Sequence, residues 1–174
     1  CMWLAYSDDM AKPKSKDRIE RESTRLTCVA TTGGQTTLDV KFWQDKIATL
    51  LGPKTDAGTL FPSLGKIKDP EKARIARWGV KTIEEANEIA ARHSALSIVS
   101  KDDPPIFMSY GMPPTAKPPA DKTRVRGWLV HHVNLGIALK EKTDALMLEA
   151  HLKYPSAKTK YQSQVEFFVD KLSN

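Results

Sequence analysis

The sequence is poor in the residues that usually announce a chemistry by their spacing. It has two cysteines, Cys1 and Cys28, and four histidines. Two cysteines cannot build a disulfide framework, and Cys28, inside the apolar run LTCVA, is expected to pack as a small reduced hydrophobe. No Cys/His set has zinc-ligand spacing, and the adjacent pair His131-His132 points in two directions, so no metal is expected. No apolar run approaches the roughly 18 residues of a transmembrane helix, which excludes a helical membrane span. A secretory signal has a basic segment ahead of its apolar stretch, and the first basic residue here is Lys12; because the start reads as incomplete, neither this nor the cysteines assign a compartment. Gly33-Gly34 lacks the Lys and Ser/Thr of a phosphate-binding loop and the G-x-G-x-x-G of a dinucleotide fold. A turn is expected there, and no cofactor.

What is present describes one ordinary globular domain. The 174 residues are 40% hydrophobic and 28% charged, enough to bury a real core. Lys and Arg number 27 against 21 Asp and Glu, a net charge of +6, which raises the question of nucleic acid. One basic cluster exists, at Lys12, Lys14, Lys16, Arg18, Arg21 and Arg25. Asp17, Glu20 and Glu22 interleave with it, and no basic helix carries base-reading side chains. A solvated surface is expected rather than a nucleic-acid site.

The element order is legible in periodicity and punctuation. CMWLAYSDDM has the apolar density of a buried helix without an N-cap ahead of it, so residues 1–10 read as a helix body whose start lies before Cys1. RLTCVATTGG (25–34) is a β-branched run stopped by two glycines, a short buried strand. Asp39 is a plausible N-cap for VKFWQDKIATLL, which Gly52-Pro53 ends. Pro70 sits in the first turn of DPEKARIARWG, and Thr82 and Glu85 have capping-box spacing ahead of EANEIAARHS. With no strand candidate, the block at about 39–95 reads as a helical insertion. PPIFMSYG (104–111) is apolar throughout and reads as a central strand. A Pro- and Lys-rich loop (112–127) leads to the amphipathic helix 133–147, with Leu135, Leu139 and Leu146 on one face. LEAHLKYP (148–155) alternates as a half-exposed strand, and YQSQVEFFVDKL (161–172) is a last amphipathic helix. This order predicts an α/β domain over 1–174 with a mostly parallel sheet flanked by helices. Three strands are few for such a sheet, so the chain reads as the back half of something larger. Its open apolar sheet edge calls for a complementing N-terminal segment or a second copy.

SKDDPPIFMSYG, the stretch from HHVNLGIALKEKTDALMLEAHLKYPSA, and FFVDKL together resemble the C-terminal half of an α/β-hydrolase of the esterase and lipase-like kind. In that family a D-D-P-P loop leads into a central strand ending in an aromatic-Gly pair, matched here by Asp102, Asp103, Pro104, Pro105, Tyr110 and Gly111. STRLTCVATTGGQTTLD is similar to the strand and loop beyond the helix behind the nucleophile elbow, and 39–95 falls in the usual place for a lid. CMWLAYSDDMA is similar to the helix just behind a G-x-S-x-G elbow. The motif itself occurs nowhere in these residues. The resemblance therefore implies a partial α/β-hydrolase fold whose nucleophile serine and main oxyanion-hole glycines lie upstream of Cys1. It implies a small-molecule carboxylic ester as substrate and a serine acyl-enzyme mechanism, with this chain alone inactive.

The remaining triad members are sought in the chain order acid, then histidine. The acid's expected place, just after PPIFMSYG, reads Met112-Pro113-Pro114-Thr115. The nearest carboxylate is Asp121, either a catalytic acid or a solvated loop residue. The loop at 155–161, where the histidine should follow the last strand, has none. Both departures favour the alternative, a non-catalytic binding or interaction module. His151 reads as a surface histidine, and His93 as suiting a helix C-terminus. His131 and His132 stand at the expected start of the helix after PPIFMSYG, at the carboxyl edge of a parallel sheet. Either acts there as general base or holds a carbonyl oxygen, or it satisfies backbone groups and packs under Trp128. Asp102 and Asp103, splayed apart before Pro-Pro, are expected to fix the loop. Trp43, Leu50, Leu51, Leu60, Phe61, Leu64 and Trp78 should build a small core between the insert's helices or line an acyl pocket.

Overall fold

Three short parallel strands carry the fold. The structure, a computed structural model, describes residues 1–52 and 69–173. Strand β1 (Val29–Thr32) pairs in parallel with β2 (Ile106–Ser109), Val29 opposite Ile106, and β2 pairs in parallel with β3 (Ala150–Lys153), Ile106 opposite Ala150. The apolar run IFMS is thus the central strand, and the α/β class holds. Alternate side chains leave opposite faces of the pleat. Ile106 and Met108 join the principal core, whereas Phe107 joins a second cluster with Tyr161 and Phe167 on the other face.

The faces are unequally covered. Helix α1 (Met2–Ala5), the irregular helix begun by α2 (Val40–Phe42), and α5 (Ala95–Ile98) pack with Ile106 and Met108, as does α7 (Asn134–Ala145) through Leu135 and Leu139. The opposite face is closed by α8 (Gln164–Leu172), whose Phe167 is fully buried and stacks on Phe107 at 5.9 Å. Burial of one such ring contributes roughly 1.5–3 kcal/mol. The outer side of α8 leaves Val165, Val169 and Leu172 exposed.

Helix starts follow their caps. The Asp39 carboxylate accepts from the Lys41 amide to open α2 (Val40–Phe42), which continues as a π-helical turn (Trp43–Ile47) and a 3-10 turn (Ala48–Leu51). Asp69 caps α3 (Pro70–Trp78), which ends at Gly79 in the left-handed region. Thr82 and Glu85 form the predicted capping box of α4 (Ile83–Arg92), and Ser163 caps α8. Among the described residues, 39–52 and 69–95 hold helices and no strand.

Several expectations change. The first helix spans four residues rather than ten. Its end is set by Ser7, whose hydroxyl bonds the Trp3 carbonyl, and by Asp9, which is held by the Thr24 amide and Ser23 hydroxyl. These bonds keep the Asp9 carboxyl at about 2. Within the loop assigned to 112–127 a helix begins, α6 (Lys122–Val130), capped by Asp121. Strand β3 is half-buried: Ala150 is buried and His151, Leu152 and Lys153 are partly exposed. His151 lies edge-on to Tyr161 at 4.6 Å and faces the Glu149 carboxylate at 2.9 Å. Trp43, with Ile47 and Ala48, belongs to the principal core rather than to a separate core of the insert; Leu60, Phe61 and Leu64, like the stop at Pro53, lie outside the described residues. Cys28 packs against the Phe107 cluster as a free thiol.

Candidate functional site

The turn after β1 is where the chain's polar chemistry converges. Gly33 has φ +57, a left-handed conformation that a Cβ disfavours, and its amide donates to the Ser109 carbonyl at 2.7 Å. The two carbonyls of this turn are both used. Gly34 accepts from the Tyr110 hydroxyl at 2.6 Å, and Gly33 faces Nδ1 of His131 at 2.7 Å. Tyr110 is buried, which pushes its phenol well above the usual range and keeps it a donor. Its ring lies so close over Gly136 that a Cβ there would sit 2.2 Å from a ring carbon. The aromatic-Gly end of PPIFMSYG thus clamps the turn to α7.

His131 ends α6 and reaches back across the sheet edge to Gly33. A carbonyl only accepts, so Nδ1 carries the proton, and in the neutral ring Nε2 keeps the lone pair. This imidazole lines a cleft of ≈ 620 Å³ whose α6 wall is Arg124, Gly127, Trp128 and His131 and whose sheet side includes Gly33 and Gly111. A second cleft, ≈ 570 Å³, lies over the ends of β2 and β3 and is lined by Ser109, Lys153, Ser156 and Gln164 among others. Thr32 lines both. Its hydroxyl is 3.0 Å from that of Ser109 and accepts from the Gln164 amide at 2.7 Å. Both clefts open at the carboxyl edge of the parallel strands, where ligands bind in open α/β sheets.

Of the three candidate catalytic residues His131, His132 and Asp121, His131 alone lines the first of these clefts. It stands at the end of α6 rather than at the start of the following helix, because the chain is already helical from Lys122. His132 is fully buried between α6 and α7. Its Nδ1 accepts from the Asn134 amide at 3.2 Å, and its ring meets Trp128 edge-on at 4.8 Å. Nε2 of His132 and Nε1 of Trp128 have no partner among the described residues, and burial lowers the His132 pKa below its ordinary value. Asp121 is exposed and takes the Thr123 hydroxyl at 2.7 Å and amide at 2.9 Å, bonds that hold its carboxyl below the usual range. Ten residues of helix, about 15 Å, separate it from His131. The structure does not bring the two together.

Asp102 and Asp103 do hold their loop, though they converge instead of splaying. Both accept from the Ser100 hydroxyl and both face Arg25. His93 closes α4 as expected, stacked near Trp3 and Trp78. No group of three or more His, Cys, Asp or Glu among the described residues has the arrangement of a metal site. Sequence reasoning missed Arg124 and gave Trp128 and Tyr110 no place at a cleft. The first two stand with Gly127 and His131 at i, i+3, i+4 and i+7, a helical stripe readable once a helix is granted there.

Compared with known proteins, the chain matches no family model and no curated protein. Among solved structures it is similar to the acetyl ester-xyloside bifunctional hydrolase from Caldicellulosiruptor lactoaceticus. The identity is 15% with a TM-score of 0.48, over 88% of this chain and 40% of that one. The chain spans less than half of that protein's length, and the likeness is too distant for any chemistry to be read from it.

Proposed function

We propose that these residues form the back half of an esterase- or lipase-like α/β-hydrolase site, in which a carboxylic ester lies in the β1–β2 cleft before His131. The observation that carries the reading is the bond from His131 Nδ1 to the Gly33 carbonyl, which holds the ring and leaves Nε2 basic toward the cleft. In this reading a serine outside the 174 residues is the nucleophile. Nε2 takes the serine proton as the hydroxyl oxygen adds to the ester carbonyl, then returns it to the departing alcohol; water reverses the roles and releases the acid. A neutral carbonyl behind the imidazole stabilises its protonated form less than a carboxylate does, so the base is a modest one. The block at about 39–95 is read as the fold's helical insertion. A further strand, from a preceding segment or a second copy, pairs with the outer edge of β1.

Three observations favour a second reading, a binding module without catalysis. No carboxylate partners His131 among the described residues, Asp121 is engaged as a helix cap, and residues 155–161 contain no histidine. The intact mass of the purified protein, before and after a fluorophosphonate probe, separates the two. A starting mass above 19.4 kDa with a single serine adduct, lost or slowed at least tenfold by His131→Ala, supports the hydrolase. A mass equal to these residues, with no adduct and no ester turnover, overturns it in favour of binding alone.

A further inference from the structure

We propose that the β1–β2 cleft recognises a free carboxylate as well as an ester: its ligand is an acidic ester, held through Arg124 while the ester carbonyl faces His131. The ester half rests on the reading above; the carboxylate half stands on separate observations. Arg124 lines the cleft, and its guanidinium has no ion pair or hydrogen bond among the described residues. A guanidinium so placed is a ready bidentate partner for a planar carboxylate.

The surroundings share its sign. Between residues 112 and 131 stand Lys117, Lys122, Arg124 and Arg126, none of them paired among the described residues, against a single acid, Asp121. Of these cations Arg124 lines the cleft. The acid is turned to the Thr123 hydroxyl and amide at the start of α6, so it does not engage the Arg124 guanidinium. Gly127 sets the shape. It lies on the wall between Arg124 and His131, and a Cβ built there would meet nothing within 4 Å. A glycine inside a helix is destabilising relative to alanine, and here it leaves an open groove between the two polar ends. Trp128, Met112 and Pro119 give that groove an apolar lining suited to methylenes.

The helix also sets the length of the ligand. Seven residues separate Arg124 from His131, about 10 Å along the axis, and the long arginine side chain shortens the span between the groups it bridges. A carboxylate about 5–8 Å from the ester carbonyl fits, which is the monoester of a dicarboxylic acid with roughly four methylenes between its two carbonyl carbons.

Calorimetric titration of the full chain at low salt, with monomethyl adipate, dimethyl adipate and hexanoate as probes, tests the proposal. The monoester is expected to bind about tenfold tighter than the neutral diester, the low end for a hydrogen bond to a charged group. Arg124→Met should erase that preference, and 0.5 M salt should reduce it. Gly127→Leu, which has room on the helix, should abolish binding of both esters while leaving the circular dichroism unchanged. Equal affinity for the two esters overturns the carboxylate site and leaves the ester reading standing. Hexanoate bound as tightly as the monoester supports the carboxylate site and sinks the ester reading. No binding of any probe at millimolar concentration overturns both. The comparison of probes on the unaltered chain keeps the proposal falsifiable even if a variant fails to fold.

Discussion

Gly33 is asked to do three things that only a glycine does together. It holds φ +57, its amide closes onto Ser109, and its carbonyl receives the His131 ring. A Cβ there would lie 3.0 Å from His131 Nδ1. Gly33→Ala is therefore expected to lower stability by about 1–2 kcal/mol, the cost of a left-handed L-residue, and to release the His131 ring. Urea unfolding gives the first quantity, and the NMR resonance and exchange rate of the His131 Nδ1–H give the second. A resonance unchanged in position and exchange would show that the Gly33 carbonyl does not hold the ring. The glycine pair is legible in the sequence as a turn. Its partner is not, because 98 residues separate His131 from Gly33 and no local pattern joins them. His132 shows the same limit: nothing in HHVN says which of two neighbouring imidazoles is buried and which is presented.

Helix ends were more readable than helix bodies. Asp39, Asp69 and Thr82 each cap the helix that follows, since a short acceptor side chain ahead of free amides is a local arrangement. Helix α6 escaped notice for a local reason too. Its KTRVRGWLV has a glycine, β-branched residues and alternating cations around a short apolar stripe of Val125, Trp128 and Leu129, and it is largely exposed. Only its cap, Asp121, marked it. The end of α7 shows a local preference overridden. Met147 takes φ 57, the Leu148 amide returns to the Thr143 carbonyl at 2.9 Å, and the Met147 side chain is 94% exposed. Glycine is the residue this closure favours. Met147→Gly is expected to raise stability by about 1 kcal/mol, since no packing is lost and the strained backbone is relieved. A urea midpoint at or below that of the unaltered protein would contradict the account.

At the scale of the molecule, burial is concentrated on one side of a three-stranded sheet, and His132 sits fully within it. Its acceptor bond from Asn134 requires an unprotonated Nδ1, and burial lowers the pKa of the ring. In the unfolded chain this histidine gains its proton near the ordinary value of about 6.5. Below that pH the unfolded state binds more protons than the folded one, so stability falls as pH drops from about 6.5 toward the lower folded value. Above about 6.5 both states are neutral and the effect is absent. The urea midpoint should therefore fall between pH 7.5 and pH 5, and His132→Phe should flatten that interval. Asp102, Glu149 and Asp170 have lowered carboxyl pKa values, so their loss of stability belongs to the separate window below about pH 4. A variant that still weakens between pH 7.5 and 5 as the parent does would assign the effect elsewhere.

By itself the sequence determined the α/β class, the central place of IFMS, the capped helix starts and the turn at Gly33-Gly34. Each depends on neighbours within a few positions, where periodicity and hydrogen-bond donors act directly. The tertiary structure decided the rest. It took Asp121 out of reach of the histidines and sorted His131 to the cleft and His132 to the core. It also set Arg124 on the wall across from Gly33. Those placements depend on where α6 crosses the sheet edge, and that crossing is set by packing between residues far apart in the chain.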